Sequence, residues 1–521
     1  GWLNFLDMNY GPDHTLLTQG IFAEFFNQVE GVSFDIQTAR RVFTDMIEAE
    51  PNLTLKLNLT NLKIHLNQAN TNDDAVQIQS LSATYEESDY VFTAPIYIDA
   101  TQNGDLAALA GAPFSMGQES IGGPAYGMAV TQVFKIGGVK EDDWQRLRQY
   151  LRDDGDVNSG STSRSAWGFA DFYTNYKASQ ENVQLRGLNI ARQSDGCIMI
   201  NALQIFQIDP LSQESLTFAK EKALIELDHI IPFLQEHVAG MENVALLSVA
   251  PELYVRESRH FDTEQRLSLS DVLANRDFED RIALGSYPVD LQGTAPGADV
   301  IIIGNPLQYS IPLGAIIPLY VDNLLIAGRT AGYDPLAHGS ARVVPIGMCV
   351  GEAAGTFASL ALNQSPILRR LAEDSSVVKA LQETLIANGA YLPSYDYTPD
   401  LVNHPYYEGL DFVRSYGLIQ GRYQNDYQLD EHVSIGEFDH ILRTLSRVRP
   451  WLARIECVQP SQMTDALSLD SLSTRYSLSG NLLDYLAKQT VWMSIIDPSA
   501  LTRGEMCQLI WHIDSFTLQL Y

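Results

Sequence analysis

The stretch DNLLIAGRTAGYDPLAHGSARVVPIGMCVGEAAGTFASLAL, residues 322–362, constrains the fold more than any other. An apolar strand ends at Gly328-Arg329. A loop follows in which Gly332, Gly339 and Ser340 permit close backbone approach. Pro345 then pre-sets the first turn of a helix carrying Ala353, Ala354, Phe357, Ala358 and Ala361. Strand, glycine loop and helix in this order point the helix amides back into the loop, which suits an anion or an electron-rich heterocycle. An ordinary βα connection packed with small residues has the same texture, so the stretch sets the class as α/β and leaves the ligand open.

The remaining chain gives that unit a context. Residues 16–29 place Leu17, Ile21, Phe25 and Val29 at helical spacing, and Ala39, Val42, Phe43 and Ile47 repeat the pattern. Alternation from Leu53 through Leu59, with strand-like runs at Val76–Ile78 and Val91–Ile98, reads as a small antiparallel meander. Residues 94–101 form a buried strand that delivers the turn Gln102-Asn103-Gly104-Asp105 to a short helix closed by Gly111. An insertion runs from 116 to about 285, with a strand at Cys197–Asn201 and a long helix near Gln213–Val238. Apolar strands return from 299 onward, and beyond Pro366 the chain turns helical and Tyr-rich.

At 521 residues this implies several domains. The formal charge of -30 repels phosphate backbones and anionic lipid, so nucleic acid is excluded as a partner. Cys197, Cys349, Cys457 and Cys507 show neither CxxC nor zinc spacing, so no metal site is expected. No apolar run approaches a transmembrane segment, and the sequence leaves bacterial cytoplasm and cell envelope both open.

Four collinear segments resemble the FAD-dependent oxidoreductases built on the glutathione-reductase-type dinucleotide fold. These are Tyr97–Thr101 with Gly104–Ala107; Val255–Arg259; Tyr309–Pro312 through Ile317-Pro318; and Asn323–Arg329 with Gly339-Ser340, Arg342, Pro345 and Gly351–Gly355. The resemblance implies FAD as cofactor, with Thr101, Gly104 and Asp105 beside it and Gly328 and Arg329 at its ribityl or pyrophosphate. It further implies that the loop from Ser340 through Arg342 to Pro345, with Gly339, faces the isoalloxazine. The family's opening strand and GxGxxG turn do not occur in residues 1–521, so the resemblance implies either that they lie upstream of residue 1 or that this protein has lost its phosphate cradle. Many relatives carry a His-Glu pair where this chain has Pro335-Leu336.

The expected fold is therefore a Rossmann-like FAD/NAD(P)-binding domain, incomplete at its N-terminus, formed by residues 1–115 and 286–372. An inserted α+β substrate domain occupies 116–285, and a helical C-terminal module occupies 373–521.

Substrate chemistry falls to Arg256, Arg259 and His260, a cationic cluster able to hold a carboxylate or steady a developing oxyanion. A buried ion-pair set with Glu257 and Asp262 is the competing reading. His338 is a further proton donor or acceptor, or a hydrogen-bonding neighbour. Neither HExxH nor GxSxG occurs, and Asp154, Asp156 and Asn158 lack the Gly and Glu that a calcium loop needs at its sixth and twelfth positions.

Residues 404–445 resemble an S-layer homology repeat, with Ser434–Phe438 starting its second helix, and 481–514 carry a weaker copy. That resemblance implies glycan contact at the cell envelope, although Gly436 stands where the repeat commonly has Arg. The expected function is hydride transfer between a small organic substrate and FAD. Two rivals stand beside it: an envelope-associated binding or structural protein with an inactive flavoprotein-like domain, and a carbohydrate-active lyase or hydrolase on the same scaffold.

Overall fold

In the computed structural model, residues 2, 5–68, 75–298, 300–455, 463–476, 478–495 and 497–519 are described. Helices α1 (Ile21–Phe26) and α2 (Ile36–Glu48) open the chain, α2 being capped by Asp35, whose carboxylate accepts from the amide of Gln37. The antiparallel meander is present as β1 (Thr60–Gln68), β2 (Val76–Tyr85) and β3 (Ser88–Phe92).

Two local expectations shift. Residues 53–59 alternate but form no strand, because no strand pairs with them among the described residues: pairing begins at Thr60, opposite Thr84, and Leu57 is 61% exposed. Helix α1 is also shorter than its apolar spacing suggests, since Gly20 enters it with φ +63° and Leu16 is held in a bridge to Tyr10.

Strand β4 (Tyr97–Asp99) feeds α3 (Asp105–Leu109), and β5 (Phe114–Met116) follows. A six-stranded antiparallel sheet comes next in sequence. Its parts are β6 (Val130–Gly137), α4 (Glu141–Asp153), β7 (Gly160–Ser161), β8 (Ser165–Gly168), α5 (Ala170–Tyr173), β9 (Val183–Arg192), β10 (Ile198–Ile205), α6 (Gln213–His237) and β11 (Ala245–Val249). Strand order is β11-β6-β10-β9-β8-β7. Its core joins Phe134, Ile190 and Ile200 of the sheet to Trp144 of α4 and Leu227 and Ile230 of α6, all fully buried.

The chain then returns through β12 (Arg259–Phe261), which pairs with β5, and α7 (Leu269–Leu273). Next come β13 (Arg281–Gly285), β14 (Asp290–Leu291), β15 (Ile301–Ile302), β16 (Tyr309–Pro312) and β17 (Leu324–Ile326). After these lie α8 (His338–Ala341), α9 (Val344–Ala361), α10 (Leu368–Ala372) and α11 (Ser375–Ala387). Buried residues from Leu267 to Ile317 share one core with α1, α9 and α11, and Gln292 ties the same segment to Arg186 and Gln204 of the six-stranded sheet. Helix α9 is long and apolar enough to span a membrane by composition, more so than the sequence reading allowed. Val350, Ala353, Ala354 and Phe357 are nevertheless fully buried in this core.

The last unit, α12 (Tyr407–Arg414), α13 (Ile435–Leu445), α14 (Leu469–Arg475), α15 (Gly480–Leu486), α16 (Thr490–Ser494) and α17 (Arg503–Gln519), has its own core around Phe438, Leu445 and Ile510.

Strands β4 and β17 lie parallel, Leu324 opposite Tyr97 and Ile326 opposite Asp99. Parallel pairing brings the turns after both strands, residues 100–104 and 327–329, to one edge, where open α/β sheets present ligand contacts.

A candidate flavin and substrate cavity

Asp99 organises the first of these turns. Its buried carboxylate accepts from the amides of Thr101 (2.9 Å) and Ala107 (2.8 Å), tying β4 to α3. Thr101 Oγ1 accepts from the amide of Asp105 at 2.8 Å. Gly104 takes φ +64° and lies so close to the Phe261 ring that a Cβ would sit 2.2 Å from it, so glycine is required there by both backbone and packing. In the second turn Gly328 takes φ +88°. Arg329 reaches across to the first turn, its Nη2 donating to Asn103 Oδ1 at 2.8 Å and its Nη1 to the carbonyl of Val255.

Both turns open into a cavity of about 1190 Å³, above the usual span of roughly 300–1,000 Å³ for small-molecule sites. Thr101, Asn103, Gly328 and Arg329 line one side. Arg342, Val344, Gly347 and Gly351 bring in the first turns of α9, and Tyr254 and Arg256 the connection from β11 to β12.

Several features of this cavity suit FAD. A Cβ on Gly351 would meet nothing within 4 Å, and one on Gly347 only the Cα of Gly328 at 3.8 Å, which leaves a flat face on α9. The helix N-terminus is positive by its dipole. The Nε atoms of Arg329 and Arg342 are buried without an acceptor among the described residues. Burial pulls the Arg329 guanidinium down to about 10, a sign of a cation with little compensation.

The residues singled out from sequence divide four ways. Thr101, Gly328, Arg329, Arg342 and Arg256 stand at the cavity wall. Gly104, Gly339, Ser340 and Pro345 are packing positions. Gly339 lies against Leu291 and the Asp290 backbone, the hydroxyls of Ser340 and Tyr309 are 2.7 Å apart, and Pro345 is buried in the first turn of α9. Arg259 pairs with exposed Asp105 at 2.9 Å and donates to the Asn103 carbonyl at 2.7 Å, which stiffens the first turn from outside.

His260 and His338 lie behind the wall. His260 Nε2 is 3.0 Å from Glu257 Oε1 and its Nδ1 is 3.2 Å from the Tyr333 carbonyl. His338 meets the His260 ring edge to face, ring centroids 4.8 Å apart. Burial first, then the charges of His260, Arg342 and Arg329, hold His338 well below the usual histidine range, and its Nδ1 has no partner among the described residues. Although no metal ligands were expected from sequence, one donor atom each of Glu257, His260 and His338 lie within 4.8 Å of one another. The two neighbouring guanidiniums oppose a dication there.

Sequence reasoning missed Tyr254 and Gly347, while Gly351 stood in the segment that resembles the family. The i, i+4 spacing of Gly347 and Gly351 was a usable signal for Gly347, and nothing local marked Tyr254.

The sequence profile of the family described as FAD dependent oxidoreductase matches residues 1–385, well over half of the chain. The protein belongs to that family. It is accordingly an FAD-dependent enzyme with a flavin redox role. A search of the curated proteins returns no match. Among solved structures, this oxidoreductase is similar to a geranylgeranyl bacteriochlorophyll reductase-like protein from Thermoplasma acidophilum: 11% identity, 86% of this chain and 81% of that one, TM-score 0.30. It is also similar to the flavin-dependent brominase Bmp2, with 9% identity, 73% and 69% coverage and TM-score 0.29. A third is the flavin-dependent monooxygenase PieE, solved with FAD and substrate, at 10% identity, 74% and 58% coverage and TM-score 0.25.

Proposed function

We propose that the enzyme transfers a hydride between a small organic substrate and FAD, both seated in the cavity between the β4/β17 edge and the six-stranded sheet domain. The observation that carries this reading is the continuity of one cavity, from Thr101, Asn103 and Gly328 past α9 to Tyr254 and Arg256. When bound, FAD supplies the hydride-accepting ring. The residues of the chain bind and orient. Gly328 and Arg329 approach the polar part of the cofactor, and Gly347 and Gly351 leave room for a flat group on α9. The α9 N-terminus favours negative charge at its end. Tyr254 and Arg256, contributed by the other domain, face the space left for substrate, and Val344 and Met348 add apolar wall that excludes water.

The test is anaerobic mixing of FAD-loaded enzyme with candidate reductants, including nicotinamide nucleotides and organic acids, while the oxidised flavin band is followed. A productive donor bleaches the band, and deuterium at the transferred position slows the bleaching. Bleaching through a flavin radical with no isotope effect contradicts hydride transfer.

For the C-terminal unit we propose envelope-glycan contact through S-layer-homology-like repeats. Two helix starts built alike support this reading: Ser434 caps α13 through the Glu437 amide, and Thr502 and Glu505 cap each other ahead of α17. Co-sedimentation of the protein with purified cell-wall glycan tests it, and a protein left wholly in the supernatant overturns it.

A further inference from the structure

Arg256 is only 3% exposed, yet no carboxylate pairs with it among the described residues. Its Nη1 donates to the Ala129 carbonyl (3.0 Å) and to Thr131 Oγ1 (2.7 Å), both neutral acceptors, and its guanidinium lies over the Tyr254 ring at 4.4 Å. Burial lowers it to about 10; Tyr254 and Asp290 oppose that, and the like charges of Arg186 and Arg342 add to it. Arg342 stands on the same Tyr254. Its Nη1 donates to the phenol oxygen at 3.2 Å, its Nη2 reaches the Asp290 carbonyl only at 3.5 Å, and its Nε has no acceptor. Against the cost of burial, Tyr254, Asp290 and Asp7 hold the Arg342 guanidinium above its usual range, although neither carboxylate forms an ion pair with it. Arg186 donates to neutral Gln292 at 2.6 Å.

Burying guanidinium groups with spare N–H donors at a cavity wall is costly unless an anion completes them. A planar two-oxygen anion matches their geometry best. Arg329 serves the β4/β17 edge, where it bonds Asn103, whereas Arg256 and Tyr254 belong to the wall donated by the six-stranded sheet domain.

From this arrangement we infer that Arg256, Arg342 and Tyr254 form a seat for a carboxylate carried by the organic substrate. The inference rests on the oxidoreductase reading of the cavity and adds the substrate class to it. The carboxylate bridges the two guanidiniums and accepts from the Tyr254 hydroxyl, which fixes the substrate against the face of the cavity opposite Gly328. Anions of FAD itself are the other source of the same chemistry.

The experiment separates the two sources. FAD-loaded protein is titrated with benzoate and succinate, with benzamide and succinamide as neutral counterparts, and the flavin difference spectrum and calorimetric heat are recorded. FAD-free protein is titrated with pyrophosphate. The expected result is saturable binding of the carboxylates to the FAD-loaded protein and none of the amides. Arg256→Gln and Tyr254→Phe each weaken carboxylate binding at least tenfold, with bound flavin retained. Arg256→Lys keeps the charge and recovers only part of the loss, which covers the case in which the Gln variant fails to fold. Carboxylates that bind FAD-loaded protein no better than their amides, with pyrophosphate binding the FAD-free protein through the same arginines, would overturn the carboxylate seat and leave the oxidoreductase reading intact. Failure of the wild-type protein to take up FAD would instead remove the reading on which the seat rests.

Discussion

Replacing Gly351 separates fold stability from cofactor binding. Glycine inside a helix is about 0.8–1.0 kcal/mol less favourable than alanine. Gly351 is interior to α9, and its Cβ would meet nothing within 4 Å. Gly351→Ala is therefore expected to stabilise the FAD-free protein by roughly 0.5–1 kcal/mol, a rise in Tm of a degree or two. Gly351→Leu has a similar propensity but extends an isobutyl group into the cavity that Gly347 and Gly351 line. It is expected to weaken FAD at least tenfold, about 1.4 kcal/mol. Thermal unfolding with and without FAD, together with titration of flavin fluorescence quenching, measures both effects. Wild-type FAD affinity in Gly351→Leu would refute the placement of the cofactor on α9. A loss of FAD-free stability above about 2 kcal/mol would refute the open space itself.

Gly104→Ala should lower stability by about 2 kcal/mol or more, since φ +64° disfavours a side chain and the Phe261 ring blocks it at 2.2 Å; chemical denaturation reads this. Asp99→Asn turns one accepting oxygen into a donor facing a backbone amide. It should cost about 1–3 kcal/mol and also weaken FAD by loosening residues 100–104, measurable by denaturation and by flavin titration. His338 is held neutral in the fold, so below the ordinary histidine value near pH 6.5 the unfolded chain takes up a proton that the folded chain refuses. Stability should therefore fall as pH drops below about 6.5, by up to about 1.4 kcal/mol per pH unit until the depressed folded value is reached. His338→Asn should flatten that slope, while an unchanged slope would place the titration elsewhere.

Periodicity and punctuation made the α/β core legible. The apolar strand Leu324–Ile326, the Gly328 turn and Pro345 at the head of α9 all sit where their chemistry places them, and α6 ends within a residue of its apolar pattern. What failed was non-local. The leucines at 53–59 alternate as a strand does, but strand formation needs a partner, and no neighbouring strand reaches them. Of the candidate site, Thr101, Gly328, Arg329, Arg342 and Arg256 were found because their segments resemble a family. Arg259 and Asp105 could not be recognised as each other's partners, since 154 residues separate them. Tyr254 gave no signal at all, because its role comes from two guanidiniums that only the fold brings to it.

The most direct test of the central claim is the visible spectrum of the protein after incubation with FAD and removal of the free cofactor, compared with Arg329→Ala handled identically. Wild-type protein is expected to hold one oxidised flavin per chain, and the variant to show a marked loss. Wild-type protein that emerges colourless, or an Arg329→Ala variant that retains flavin equally well, would contradict that claim.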